Sequence, residues 1–176
     1  LCTQHSFSAE LKSTGEHTLA ATPSLNSCNY HGQEASVEMR GCKLILHPSG
    51  AVDVGGASCA AEPMRVSIPS CTVTIGSQGN LSKASYGSYW GSFVSSSRQL
   101  AMTFDLSGIQ HTATGAGCPS VGTFGNGTFS ALLASVSAGS AIWVSEEEFH
   151  AEKAPATITG KQTALAKDSY ARLNLA

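Results

Sequence analysis

An all-β fold, a β-sandwich-like module stapled by disulfides, is what this sequence predicts, and three observations carry it. Apolar and polar residues alternate over strand-length runs. Gly, Pro, Asn and Ser interrupt those runs at short intervals, the rhythm of sandwiches and barrels. Six cysteines form an even set, as in small secreted scaffolds.

The elements follow in chain order. Val37 and Met39, then Leu44 and Leu46, flank Gly41-Cys42 as two short strands around a turn. Met64, Val66 and Ile68 alternate until Pro69-Ser70, and Thr72-Val73-Thr74-Ile75 resumes the pattern. Leu100, Met102, Phe104 and Leu106 predict a full strand ended by Ser107-Gly108. Asn126-Gly127 reads as a tight turn needing positive φ, and Phe129, Ala131 and Leu133 alternate after it. The one helix-friendly run is Ala154 to Ala176; Pro155, Thr157, Ile158, Thr159 and Gly160 argue for a strand first, and Lys161 to Ala176, open to helix or strand by propensity, is read as strand.

Composition narrows the function classes. The chain has 176 residues, 41% of them hydrophobic, enough for one domain with a real core or for a domain plus an appendage. Charged residues make up only 12%, and Ser and Thr together outnumber them. A hydroxyl-rich surface of this kind is common outside the cell. A formal net charge of −2 carries no electrostatic footprint for nucleic acid. No apolar stretch is long enough for a membrane span; Ser130 to Val144 comes nearest, and Ser and Gly interrupt it. The opening at Leu1, without Met, fits a cleaved signal peptide and a simply shortened chain equally well.

Cys2, Cys28, Cys42, Cys59, Cys71 and Cys118 contain no CxxC pair and no zinc-like Cys/His quartet, so disulfides in an oxidising compartment are expected. Many pairings are open to six cysteines. The expected set is Cys28–Cys42 and Cys59–Cys71, each closing a hairpin-sized loop, with Cys2–Cys118 by elimination.

An internal echo divides the chain. Phe7-Ser8-Ala9-Glu10 returns as Phe149-His150-Ala151-Glu152, and Thr14-Gly15-Glu16-His17-Thr18 as Thr159-Gly160-Lys161-Gln162-Thr163. A three-residue insertion around Pro155 separates the two matches in the second copy. The period is about 140–145 residues, an ordinary domain size. Residues 1–145 are then one module and 146–176 the opening strands of a second. Two strands cannot bury an apolar face alone. The extension must fold back, stay disordered, or add to a sheet edge of a neighbouring subunit. Phe149, Ala151, Pro155, Ile158, Leu165 and Leu173 are the candidate assembly residues.

The same residues carry a resemblance. Phe149-His150-Ala151-Glu152 followed by Pro155-Ala156-Thr157-Ile158-Thr159-Gly160-Lys161-Gln162 resembles the repeat opening of secreted, disulfide-containing β-rich tandem-repeat proteins of actinobacteria. Cys71-Thr72-Val73-Thr74-Ile75 with Gln78 resembles the middle of that repeat, and Gly117-Cys118 with Gly125-Asn126-Gly127-Thr128-Phe129 its end. The first opening lacks the Pro-Ala-x-Ile segment. The resemblance implies secretion and repeat architecture, and it attaches no activity.

Chemistry-bearing patterns are sparse. His5, His17, His31, His47, His111 and His150 form no HxH, HxxxH or HExxH pair, so no metal or other cofactor is expected. With no GxSxG elbow the chain is read as not an enzyme, and a secreted hydrolase would need a convergent polar site. Glu146-Glu147-Glu148 reads as a solvated linker, since it lacks the ligand spacing of a calcium loop. Tyr86, Tyr89, Trp90 and Phe93 form the candidate binding surface, suited to stacking on a sugar ring; core packing is the competing reading. The expected function is an extracellular structural subunit of a surface fibre, assembled head-to-tail with copies of itself by β-strand complementation. The alternative is a monomeric adhesin or carbohydrate-binding module that takes a surface glycan.

Overall fold

Strand alternation buries every second side chain, and the first strand shows how the sheet is seeded. In β1 (Cys2–Leu11) His5, Phe7, Ala9 and Leu11 turn inward while Ser8 and Glu10 face out. The computed structural model describes residues 2–30, 32–79, 81, 99–118, 125–136, 142–162 and 171–175. Along them β1 is followed by β2 (Gly15–Glu16), β3 (Leu19–Tyr30), β4 (Gln33–Glu38), β5 (Lys43–Leu46) and β6 (Val52–Gly55). Then come β7 (Met64–Ile68), β8 (Cys71–Ile75), β9 (Gln99–Ile109), β10 (Thr112–Thr114) and β11 (Gly125–Val136). The last are β12 (Ile142–Val144), β13 (Phe149–Ala151), β14 (Ala156–Gln162) and β15 (Ala171–Leu175). The fold is all-β: among the described residues there is no helix.

The strands form a 12-stranded antiparallel sheet and a 3-stranded one ordered β12-β13-β2. The large sheet branches at β3. Near its start β3 pairs with β5, which leads to β6; near its end it pairs with β4, which leads through β7 and β8 to β10. The two wings close on one core, with Leu44, Leu46, Val52 and Val54 on one side and Val66, Val73 and Ile75 on the other. On its other edge β3 pairs with β1, which continues to β14 and then β11.

Three local expectations are corrected. The strands around Gly41-Cys42 are present but do not form a hairpin: β4 leaves for β7 and β5 for β6. Gly41 is a close-approach point, where a Cβ would stand 2.6 Å from the Ser58 carbonyl oxygen. Asn126-Gly127 lies inside β11, beside an irregularity in its pairing with β9, and is not a hairpin turn. An Asn-Gly pair fits a bulge as well as a turn, because Gly relieves the steric cost of either. The strand expected to stop at Ser107-Gly108 continues to Ile109, with Gly108 at φ 69°.

The disulfides join Cys2–Cys28, Cys42–Cys59 and Cys71–Cys118, and all three expected pairings are overturned. Cys2 and Cys28 are cross-strand partners in the β1–β3 ladder. Ser27, at φ 49°, is where the buried face of β3 switches from odd to even positions, turning Cys28 inward. Cys42 immediately precedes β5, which runs alongside β6 and so brings it to the turn after β6 that holds Cys59. Cys71 faces Ile68 across the β7–β8 hairpin, which leaves its sulfur for Cys118. There the Gly117 N–H donates to the Ser70 carbonyl at 3.0 Å.

Non-reducing peptide mapping should recover these sequential pairs and no Cys2–Cys118 peptide. Replacing Cys71 and Cys118 together by Ala, which opens a loop with a sequence separation of 47, should lower stability by roughly 4 kcal/mol in urea unfolding.

Candidate functional site

The two copies of the sequence echo cross each other in space. Phe7 and Ser8 of the first copy pair with Gly160 and Thr159 of the second. Phe149 and His150 of the second copy pair with Glu16 and Gly15 of the first. The front of each copy is thus hydrogen-bonded to the back of the other. A further bond ties them, from the Ala151 N–H to the Thr14 carbonyl at 3.0 Å.

Local chemistry prepares both halves. After β1 the chain turns tightly: Glu16 Oε1 accepts from the Lys12 and Ser13 N–H groups at 2.6 and 3.0 Å, and the Ser13 hydroxyl donates to the Gly15 carbonyl at 2.6 Å. Before β13 the Ser145 hydroxyl accepts from the Glu148 N–H at 3.0 Å, and the Ser145 N–H donates to the Glu148 carbonyl at 2.9 Å. Both are side-chain-capped turns, with polar groups satisfying backbone groups that the short strands leave over.

Packing holds the crossing. Phe149, Ala151, Ala156 and Ile158 are core residues, Ile158 only 1% exposed, in one cluster with Phe7, Ala9 and Leu11. Full burial of a Phe or Ile side chain contributes about 1.5–3 kcal/mol. β14 occupies the lane between β1 and β11, pairing with Ser6–Leu11 on one side and Leu132–Val136 on the other. β15 continues the same lane, pairing Ala171 with Cys2 and residues 171–175 with Gly125–Phe129.

The crossing also gathers charge. The Glu148 carboxylate stands between two imidazoles, one from each copy: His17 Nε2 is 3.8 Å from Oε1 and His150 Nε2 is 3.8 Å from Oε2. His17 Nδ1 donates to the Glu147 carbonyl at 3.1 Å. A Cβ at Gly15 would stand 2.8 Å from Glu148 Oε2, so the missing side chain makes room for the carboxylate. Ser145 Oγ lies 3.1 Å from His150 Nε2, the same nitrogen that faces Glu148. In a Ser-His-acid triad the acid must hold the opposite nitrogen, so this trio lacks triad geometry. No three His, Cys, Asp or Glu among the described residues are grouped to hold a metal ion. No helix of the described residues is long and apolar enough to cross a membrane.

Of the candidate assembly residues, Phe149, Ala151 and Ile158 meet in this crossing and Pro155 sits exposed just before β14. Leu173 pairs through its backbone with Gly127, while Leu165 lies outside the described residues. Tyr86, Tyr89, Trp90 and Phe93 also lie outside them.

A second feature escaped the sequence reading. A cleft of about 630 Å³ is lined by Thr74, Ser77, Gln78, Gln110, His111 and Thr112, among others. Gln78 clamps its wall, donating to the Gln110 carbonyl at 2.9 Å and accepting from the Gln110 N–H at 2.7 Å. Nearby in the fold, His47 Nε2 and Asp53 Oδ2 meet at 2.8 Å across the β5–β6 hairpin. The turn His47-Pro48-Ser49-Gly50 was the available signal for that pair, since a hairpin there brings both side chains to neighbouring positions.

No protein-family model, no curated protein and no solved structure matches the chain, so function rests on this geometry. Truncating Ile158 or Phe149 to Ala should each lower unfolding stability by roughly 2–5 kcal/mol in a denaturant titration. A smaller loss at both would mean that the terminal strands are not part of the core.

Proposed function

We propose that the protein is an extracellular structural subunit of a surface fibre or filament, assembled head-to-tail by β-strand complementation. One observation carries this reading: an interior lane of the sheet is filled by a strand from the last segment of the chain, which belongs to the second copy of the echo. A strand supplied from beyond one repeat that completes another is how successive modules become mechanically continuous. Three disulfides fit an oxidising, extracellular setting. The low share of charged residues, 12%, fits the same setting. The repeat architecture of the actinobacterial proteins that the chain resembles agrees with it.

A second reading is a monomeric adhesin or carbohydrate-binding module. It is favoured by the docking of the terminal strands within their own chain and by the cleft at Gln78 and His111. Its wall sets the hydroxyl and amide groups of Thr74, Ser77, Gln78 and Thr112 beside the apolar side chains of Ala60 and Pro63, a mixture that suits the hydroxyls and the carbon face of a sugar ring together.

Negative-stain electron microscopy of the full chain over a range of concentrations separates the two. Filaments that become longer and more numerous with concentration are expected. Single particles from the full chain at tens of micromolar would defeat the fibre reading, and glycan-array binding lost in His111→Ala would then establish the second.

A further inference from the structure

We infer that the segment Phe149–Gln162 is exchanged between copies of this chain, docking in the lane between β1 and β11 of a second copy with the register seen here. The inference rests on the fibre reading and deepens it by naming donor, acceptor and partner. Every copy carries the same donor and the same lane, so docking in trans reproduces each contact made in cis: Ile158 in the core, Gly160 opposite Phe7, His150 opposite Gly15. Exchange between identical chains therefore costs only association entropy and the opening of a hinge.

Three observations make the donor detachable. The three disulfides close within Cys2–Cys118, so no covalent bridge ties the segment to its lane. The turn Ser145–Glu148 that leads into it carries three consecutive carboxylates, with Glu146 and Glu147 exposed. Extending that turn separates like charges, which lowers the cost of opening it. The segment is also a second copy of the sequence it docks against, and the crossed pairing means that each copy is complementary to the other. A following repeat or a neighbouring chain presents this same complement.

A lane left empty explains why the segment must dock somewhere. Without β14 the edge of β1 from Ser6 to Leu11 loses its partner, and Phe7, Ala9 and Leu11 lose part of their cover. An unpaired edge above exposed apolar side chains is a template for the nearest matching strand. At high local concentration that strand belongs to another copy.

The test uses the full chain and the Ser8–Thr159 register. Both side chains are exposed, so Ser8→Cys and Thr159→Cys leave the core untouched. A short bismaleimide joins the new thiols and leaves the native disulfides alone. A chain bearing both substitutions, assembled at high concentration, should run as a covalent ladder. A mixture of the two single variants, one of them mass-tagged, should yield the 8–159 cross-linked peptide between chains. Only an intrachain link in the double variant, with none between single variants, overturns the exchange. Glu10→Cys with Thr157→Cys repeats the measurement one step along the same ladder if the first pair folds poorly. Filaments by microscopy with only intrachain links would leave the fibre reading standing and sink this inference. An interchain link confined to a closed dimer would establish exchange and sink the fibre.

Discussion

The β1–β14 ladder is the interaction on which the rest of the molecule depends. It joins residues separated by nearly the whole chain, Leu11 with Ala156 at one end and Ser6 with Lys161 at the other. Backbone amides in a sheet interior have no water to turn to, so an unfilled lane leaves donors and acceptors unsatisfied along its whole length. The same ladder brings Ala156 and Ile158 into the core beside Phe7 and Leu11. Sheet continuity and core closure are thus a single event. The strand that completes both is among the last in the chain.

Covalent and polar reinforcement is distributed unevenly around that event. The wings that branch from β3 carry two of the three disulfides, one joining the turn after β6 to the residue before β5 and one the start of β8 to the loop after β10; the third pins β1 to β3. Disulfides act chiefly on the unfolded chain, limiting how far these wings can open. The crossing of the two echoes has no such bridge. It relies on apolar anchors, on capped turns and on Glu148 set between His17 and His150. His17 is 77% exposed, so these contacts are screened by solvent and orient the crossing more than they strengthen it. A region held without a covalent bridge can be remade between chains; a region held by disulfides cannot.

Much of the strand content was legible because alternation is a local property. Met64, Val66 and Ile68 with Val73 and Ile75 became the β7–β8 hairpin, broken at Pro69-Ser70 as their spacing implied. Partner choice was not local, which is why the segments on either side of Gly41-Cys42 went to different neighbours. The cysteines failed for the same reason. A short loop looked sufficient for Cys28–Cys42, yet the change of face at Ser27 turned Cys28 toward Cys2. A side chain's direction in a strand flips with a single irregular residue, and no periodicity in the sequence marks that residue here.

By itself the sequence determined the class and the actors: an all-β chain with an even set of cysteines, and an echo that singles out Phe149, Ala151 and Ile158. Those follow from residue type and spacing, which act over a few residues and need no partner to be read. Only the tertiary structure decided that the echo crosses itself, that the cysteines pair in sequence order, and that the terminal strand lies inside the sheet. Each of these is a choice among partners distant in the chain. It is made by whichever arrangement leaves the fewest unpaired backbone groups and the least exposed apolar surface.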